Sequence, residues 1–150
     1  MLAFVLGGGG SRGALQVGAL AALFTAGIRP DLVIGTSVGA INAAFLASDP
    51  TCAGVQRLKE IWLHVREEDV YAGSSHRALW NLLCRRSSLY SNESWFGFLK
   101  RQLPVERFCD LALPCYAIAV EMGSGKVTVF GDQPEDSLLD GLMGIVPHLT

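Results

Sequence analysis

One serine in this chain stands where covalent chemistry could occur. Residues 35–39 read Gly-Thr-Ser-Val-Gly, after the apolar run Leu32-Val33-Ile34 and before an apolar helix-like run. This spacing is typical of a nucleophile elbow, a strained strand-to-helix turn that needs small residues beside the serine. The pattern predicts Ser37 as a nucleophile toward an acyl group. The elbow around it would consist of Gly35, Thr36, Val38 and Gly39. The plainer alternative is a tight turn whose serine only caps the helix.

A glycine cluster upstream could supply the matching electrophilic site. Residues 7–13 read Gly-Gly-Gly-Gly-Ser-Arg-Gly and follow another apolar run. Glycines leave backbone N–H groups free to face an anion, and such donors stabilise the oxyanion of acyl transfer. Arg12 could fix this loop or add positive charge. The predicted oxyanion-hole residues are Gly8, Gly9, Gly10, Ser11, Arg12 and Gly13.

The same loop also fits the G-x-G-x-x-G fingerprint of dinucleotide-binding proteins. That interpretation needs an acidic residue at the end of the second strand, to bind the ribose. Here Asp31 stands at the beginning of that strand, and the strand ends in Gly35-Thr36-Ser37. A nucleotide-binding α/β domain therefore remains only as an alternative.

The two motifs together resemble those of the patatin-like phospholipases. The resemblance runs from Phe4 to Ala47 and includes the helix-like segment between the motifs. It implies a patatin-like three-layer α/β fold, with a mostly parallel central sheet and helices on both faces. It also implies hydrolysis of lipid acyl esters without a cofactor, with Ser37 as nucleophile and the loop from Gly8 to Gly13 as oxyanion hole.

Members of that family use a Ser–Asp dyad, whose aspartate lies in an Asp-Gly-Gly or Asp-Gly-Ala sequence. The only Asp-Gly here is Asp140-Gly141, and Leu142 follows it. Its surroundings look like the helix that precedes the aspartate in the family. We therefore expect a C-terminally incomplete domain that lacks the dyad aspartate. Two alternatives remain open: Asp140 as the base, or a non-catalytic member that binds lipid or a partner.

The elements that must position these residues follow from hydrophobic periodicity and from Gly and Pro. The run Leu2–Leu6 is typical of a strand covered on both faces. In the first helix, Leu15, Ala19, Ala22 and Leu23 stand at helical spacing, and Gly27 suits its C-cap. A hairpin is predicted from 115 to 130. The predicted helices cover residues 13–26, 38–47, 54–65 and 134–143, with another near 95–103.

Length and composition bound the remaining possibilities. The 150 residues form one domain by length, in which residues 66–103 are predicted to be a helical cap or lid. A net charge of −2 disfavours nucleic acid as a partner. Four cysteines without C-x-x-C spacing indicate single thiols, and no histidine pair has the spacing of a metal site.

The same features lead to expectations about location. No basic leader precedes the first apolar run, so no signal peptide is predicted. The apolar run from Ala14 to Ile28 is shorter than a membrane span. We expect a cytoplasmic or peripheral membrane protein. Aromatic and basic residues between 66 and 103 suit contact with anionic lipid, and an incomplete sheet would favour self-association.

Overall fold

A computed structural model describes residues 1–64, 97, 99–103, 105–121 and 123–144. Within these ranges a four-stranded sheet is combined with helices. The strands are β1 (Ala3–Leu6), β2 (Leu32–Gly35), β3 (Cys115–Val120) and β4 (Val127–Phe130). The helices are α1 (Gly13–Thr25), α2 (Val38–Ser48), α3 (Cys52–His64) and α4 (Leu138–Met143), and residues 99–102 are also helical. Short 3₁₀ helices cover Gly10–Arg12 and Phe108–Asp110.

The strands lie in the sheet in the order in which they occur in the chain, β1-β2-β3-β4. The first three are parallel, with Phe4 opposite Val33 and Val33 opposite Cys115, while β4 returns antiparallel to β3. The expected α/β fold with a mostly parallel sheet is therefore confirmed, as is the hairpin. The carboxyl ends of β1 and β2 meet at one edge, where Ser37 follows β2.

The helices of the described ranges pack on one face of the sheet. Right-handed crossovers between strands that advance in one direction place their helices on the same side. Accordingly α1, α2 and α3 contact one another, and α2 contacts β1, β2 and β3. Phe4, Val33 and Ala117 turn inward from the strands, and Leu20, Phe24 and Leu46 meet them from the helices in one core. Helix α4 packs beside β3 and β4.

The other face of the sheet is more open than expected. Phe4 of β1 is buried, but its neighbour Val5 is 71% exposed, so the prediction that β1 is covered on both faces is wrong. Val120 and Val127, paired across the hairpin, are also exposed. The self-association expected from sequence stays a prediction. None of the described helices is long and apolar enough to cross a membrane.

Helix α1 ends as expected but turns a different side inward. Gly27, at φ 78°, takes the left-handed position after the helix, and the Ile28 N–H bonds the Leu23 carbonyl at 2.9 Å. The buried residues are Gly13, Val17, Leu20 and Phe24, whereas Leu15 is 74% exposed. Because the helix is apolar on nearly every side, periodicity alone does not identify the buried stripe.

Two helix starts differ from the prediction. Helix α3 begins at Cys52 because the Thr51 hydroxyl accepts the Gly54 N–H at 3.1 Å. Helix α4 begins only at Leu138, since the Asp136 carboxylate accepts the Gly131 N–H at 2.7 Å and holds the preceding residues in a turn. Most of the predicted cap, 66–103, lies outside the described residues, and that assignment stays a prediction.

Candidate active site

Ser37 occupies the strained turn that its motif predicts. Its φ of 54° and ψ of −130° make it the only described non-glycine residue with positive φ. It is the N-cap residue of α2, but its side chain makes no capping hydrogen bond, so the structure does not support a capping role for its hydroxyl. The residue is exposed at the carboxyl edge of the sheet. Its hydroxyl can therefore meet a ligand, and the N-terminus of α2 adds positive potential there.

The elbow glycines are fixed by backbone packing rather than by turn preference alone. A Cβ on Gly35 would overlap backbone atoms of Gly39 and Ala40. A Cβ on Gly39 would overlap the Leu6 carbonyl and lie 2.6 Å from the Gly7 oxygen. Strand β1, strand β2 and helix α2 thus meet with no room for a side chain at either position.

Thr36 ties the turn to strands on both sides. Its N–H donates to the Leu6 carbonyl at 3.1 Å, which extends the β1–β2 ladder by one step. Its hydroxyl donates to the Ile118 carbonyl of β3, also at 3.1 Å. Val38 continues into α2 and lies half-buried. The direction in which Ser37 points is therefore set by three strands and one helix.

The glycine loop brings one residue directly beside Ser37. A Cβ on Gly8 would lie 3.3 Å from the Ser37 Cβ and 3.9 Å from its Oγ. Gly9 and Gly10 have φ of 152° and 57°, and the loop then closes into the 3₁₀ turn that contains Ser11. Arg12 lies along Gly9, within 3.4 Å of a Cβ at that position.

Gly13 has a different place from the rest of the loop. It is the first residue of α1 and is buried, and a Cβ there would lie 2.6 Å from the Trp62 ring and 2.7 Å from Val38. Among the predicted oxyanion-hole residues, Gly8 therefore lies against Ser37, while Gly13 allows α1 to approach α2 and α3.

A polar network that the sequence reasoning missed lies behind this loop. Asn42 of α2 is fully buried. Its Nδ2 donates to the Gly13 carbonyl at 3.0 Å and to Gln16 Oε1 at 2.9 Å, while Trp62 Nε1 donates to its Oδ1 at 2.9 Å. Gln16 Nε2 donates in turn to the Gly7 carbonyl at 2.6 Å. The signal available was an asparagine within an apolar helix, because buried amides need partners.

The carboxylate considered as a base, that of Asp140, is not hydrogen-bonded to Ser37. Asp140 is half-buried in the first turn of α4, where its N–H donates to the Ser137 hydroxyl at 3.3 Å. Within the described ranges, no carboxylate or imidazole is hydrogen-bonded to Ser37 Oγ. His64 is exposed at the end of α3, and its Nδ1 lies 2.8 Å from the Glu60 carbonyl oxygen. His76 and His148 lie outside those ranges.

The titratable groups with shifted pKa values have structural roles. The Thr51 hydroxyl and Arg57 stabilise the Asp49 carboxylate at the end of α2 and lower its pKa. Burial raises the pKa of the Cys115 thiol to about 12. In the part of the chain that the structure describes, no three His, Cys, Asp or Glu residues are grouped as metal ligands.

Comparison with known proteins gives a consistent result. A family model described as patatin-like phospholipase matches residues 4–143. Patatin-like phospholipase domain-containing protein 7 of Rattus norvegicus is 30% identical over 131 residues, 87% of this chain and 9% of that protein. The corresponding protein 6 of Homo sapiens is 27% identical over the same shares. Lysophospholipase nte1 of Aspergillus terreus is 58% identical over 45 residues, 30% of this chain and 3% of its own length. The chain thus spans less than a tenth of these relatives.

Proposed function

Because the chain belongs to the patatin-like phospholipase family, we propose that it supplies the nucleophile and oxyanion loop of a serine hydrolase for lipid acyl esters. The observation that carries this proposal is the conformation and environment of Ser37. Its φ is positive, its hydroxyl makes no capping hydrogen bond to α2, and Gly8 packs against it. Strain of this kind costs about 1–3 kcal/mol and persists where the surroundings over-determine it, most often at functional sites. A merely structural serine would have no need of it.

In the proposed reaction the Ser37 oxygen bonds to the ester carbonyl carbon, and the carbonyl electron pair moves onto its oxygen. The serine proton passes to a base, and collapse of the intermediate breaks the bond to the alcohol, which takes up that proton. Water then repeats the sequence on the acyl-serine and releases the fatty acid. The Gly8 N–H and its neighbours in the loop stabilise the oxyanion, and one such donor is worth about 10²–10³ in rate.

The mechanism also requires a base that takes the proton of the Ser37 hydroxyl. The family resemblance implies an aspartate, and Asp140 has the only Asp-Gly sequence in the chain. Among the described residues, no carboxylate or imidazole accepts a hydrogen bond from the Ser37 hydroxyl. This favours a second candidate function, that of a non-catalytic family member that binds an acyl ester. Catalytic hydrogen bonds can be long before substrate binds, so activity has to decide between the two.

The substrate class follows from the relatives and stays part of the proposal. One relative is named a lysophospholipase, and the family model is named for phospholipids. We propose an ester of a long acyl chain as substrate, approached from a lipid surface. The exposed position of Ser37 at the sheet edge is compatible with a substrate that remains partly in a membrane.

The test is hydrolysis of a short-chain p-nitrophenyl ester, with labelling by a fluorophosphonate, a reagent that phosphonylates activated serines. Ser37→Ala should abolish both signals. Ser48→Ala is the matched control, because Ser48 ends the same helix and its hydroxyl bonds the Phe45 carbonyl at 2.8 Å. Activity that survives in Ser37→Ala would refute the assignment. Ester binding without hydrolysis or labelling in the unmodified chain would support the non-catalytic candidate.

A further inference from the structure

Three side chains form a directed series of hydrogen bonds that ends on the glycine loop. Trp62 Nε1 donates to Asn42 Oδ1, Asn42 Nδ2 donates to Gln16 Oε1, and Gln16 Nε2 donates to the Gly7 carbonyl. The indole N–H can only donate and the Gly7 carbonyl can only accept. Both amides between them therefore have a single orientation that satisfies every bond.

We propose that Gln16 is a positioning residue that aims the Gly8 N–H at the oxyanion formed on Ser37. The carbonyl of Gly7 and the N–H of Gly8 belong to one planar trans peptide, so they point in opposite directions. A bond that pulls the Gly7 carbonyl toward α1 turns the Gly8 N–H away from α1. Gly8 also packs against Ser37.

The peptide oxygen lies against Gly39 of α2, but no side chain of the described residues packs at the Gly7 Cα to hold the peptide in one orientation. Gly7 has open space where a Cβ would be, with nothing within 4 Å. Glycine backbones adopt both signs of φ with similar ease, so a Gly–Gly peptide can rotate between orientations. The 2.6 Å bond from Gln16 selects one of them. Fully buried Asn42 holds the Gln16 amide in turn, and thus acts one step further from the site.

The inference rests on the proposed function of Ser37, and its test separates the two. The Gln16→Glu variant keeps the size of the side chain but replaces the donor that faces Gly7 by a carboxylate oxygen. At neutral pH we expect fluorophosphonate labelling of Ser37 to slow about 10²-fold, as for loss of an oxyanion donor. The matched control is Gln133→Glu, the same change at an exposed residue in the turn before α4, which should label at the rate of the unmodified chain.

The pH dependence of labelling distinguishes a loss of the Gly8 N–H orientation from a general loss of folded structure. A protonated carboxyl can donate to the Gly7 carbonyl as the amide does. The labelling rate of Gln16→Glu, divided by that of the unmodified chain, should therefore rise as pH falls below 7 toward the glutamate pKa. Gln16→Asn, which is too short to reach Gly7, should show the same loss at neutral pH and no such recovery. Thermal unfolding and circular dichroism are followed for each variant.

Each outcome decides the matter. Slow labelling in both Gln16 variants with recovery only in Gln16→Glu supports the inference. Equal labelling of Gln16→Glu and the unmodified chain overturns it and leaves the role of Ser37 standing. A pH-independent loss accompanied by a lower melting temperature assigns Gln16 to stability alone and also overturns it. If Ser37 is not labelled in the unmodified chain, the proposed function fails, and the inference fails with it.

Discussion

The turn that holds Ser37 and the short helix that holds Asp140 are fixed in different ways. Backbone atoms of β1 and α2 enclose the elbow glycines so closely that no side chain fits. Around Asp140, the neighbouring Gly141 faces aromatic side chains of Phe108 and Phe130 instead. The backbone around the elbow glycines cannot move without breaking hydrogen bonds of the sheet and the helix, whereas the aromatic side chains beside Gly141 can shift. The comparison indicates that the chain fixes the turn around Ser37 more tightly than it fixes the first turn of α4 around Asp140.

The largest effect expected from this comparison is that of Gly39→Ala. The new methyl group would overlap the Leu6 carbonyl, which cannot withdraw without losing its 3.1 Å bond from the Thr36 N–H. We expect a loss of about 4 kcal/mol or more in the free energy of unfolding, at the exceptional end for one substitution. Urea denaturation measures it. Gly18→Ala is the control, because Gly18 has open space in α1 and alanine there should stabilise by about 0.5–1 kcal/mol.

The same substitution beside Asp140 should cost less. In Gly141→Ala the methyl group would lie 2.6 Å from the Phe108 ring edge and 2.9 Å from Phe130 Cβ. Overpacking against side chains costs about 1–3 kcal/mol. Parallel urea curves should place Gly141→Ala between Gly39→Ala and the unmodified chain. Equal losses at the two glycines would remove the contrast between the turn and α4.

Alkaline pH should lower the free energy of unfolding through one thiol on β3, the strand against which α4 packs. The Cys115 thiol of β3 is buried, and its pKa is raised to about 12 from 9.0. Above pH 9 the unfolded chain loses this proton while the folded chain keeps it. Stability is therefore full below pH 9 and falls by about 1.4 kcal/mol per pH unit up to pH 12. Urea midpoints across this range measure the slope, and Cys115→Ala should lack this contribution.

The smallest effect concerns Asp140 itself. Its carboxylate makes no hydrogen bond to Ser37, so Asp140→Asn should leave ester hydrolysis and Ser37 labelling within about threefold of the unmodified chain. That range corresponds to roughly 0.7 kcal/mol in the activation free energy. If the rates of hydrolysis and labelling fell by several orders of magnitude with the melting temperature unchanged, Asp140 would be the base. The looser packing around Asp140 would then not indicate a lesser role in catalysis.

The parts of the fold that sequence predicted are those in which local chemistry allows few solutions. Strand, tight turn and helix around Ser37 follow from the G-x-S-x-G pattern, and the hairpin follows from two apolar runs around Gly123-Ser124-Gly125. The buried stripe of α1 could not be predicted, because a helix apolar on nearly every side gives no preferred direction. The start of α4 depends on the Asp136 carboxylate bonding the Gly131 N–H, a contact that composition does not indicate.

The candidate site was predictable to a similar extent. Ser37 and Gly8 were found from their motifs, and the structure brings them together. Gln16 and Asn42 were missed because each lies in an apolar helix, where a single amide does not alter the hydrophobic pattern. Their significance depends on which carbonyl each N–H reaches, and that is a property of three helices packed together rather than of any one segment.

The strand order has a consequence for the kinetics of folding. The β1–β2 pairing joins Ala3 and Leu32, which are 29 residues apart, whereas the Thr36 bond to Ile118 spans 82 residues. Closing the longer loop costs about 1 kcal/mol more in chain entropy. We expect amides of β1, β2 and α2 to gain protection from hydrogen exchange before those of β3. The turn that holds Ser37 would then form early, and β3, which accepts the hydrogen bond from the Thr36 hydroxyl, would join it last.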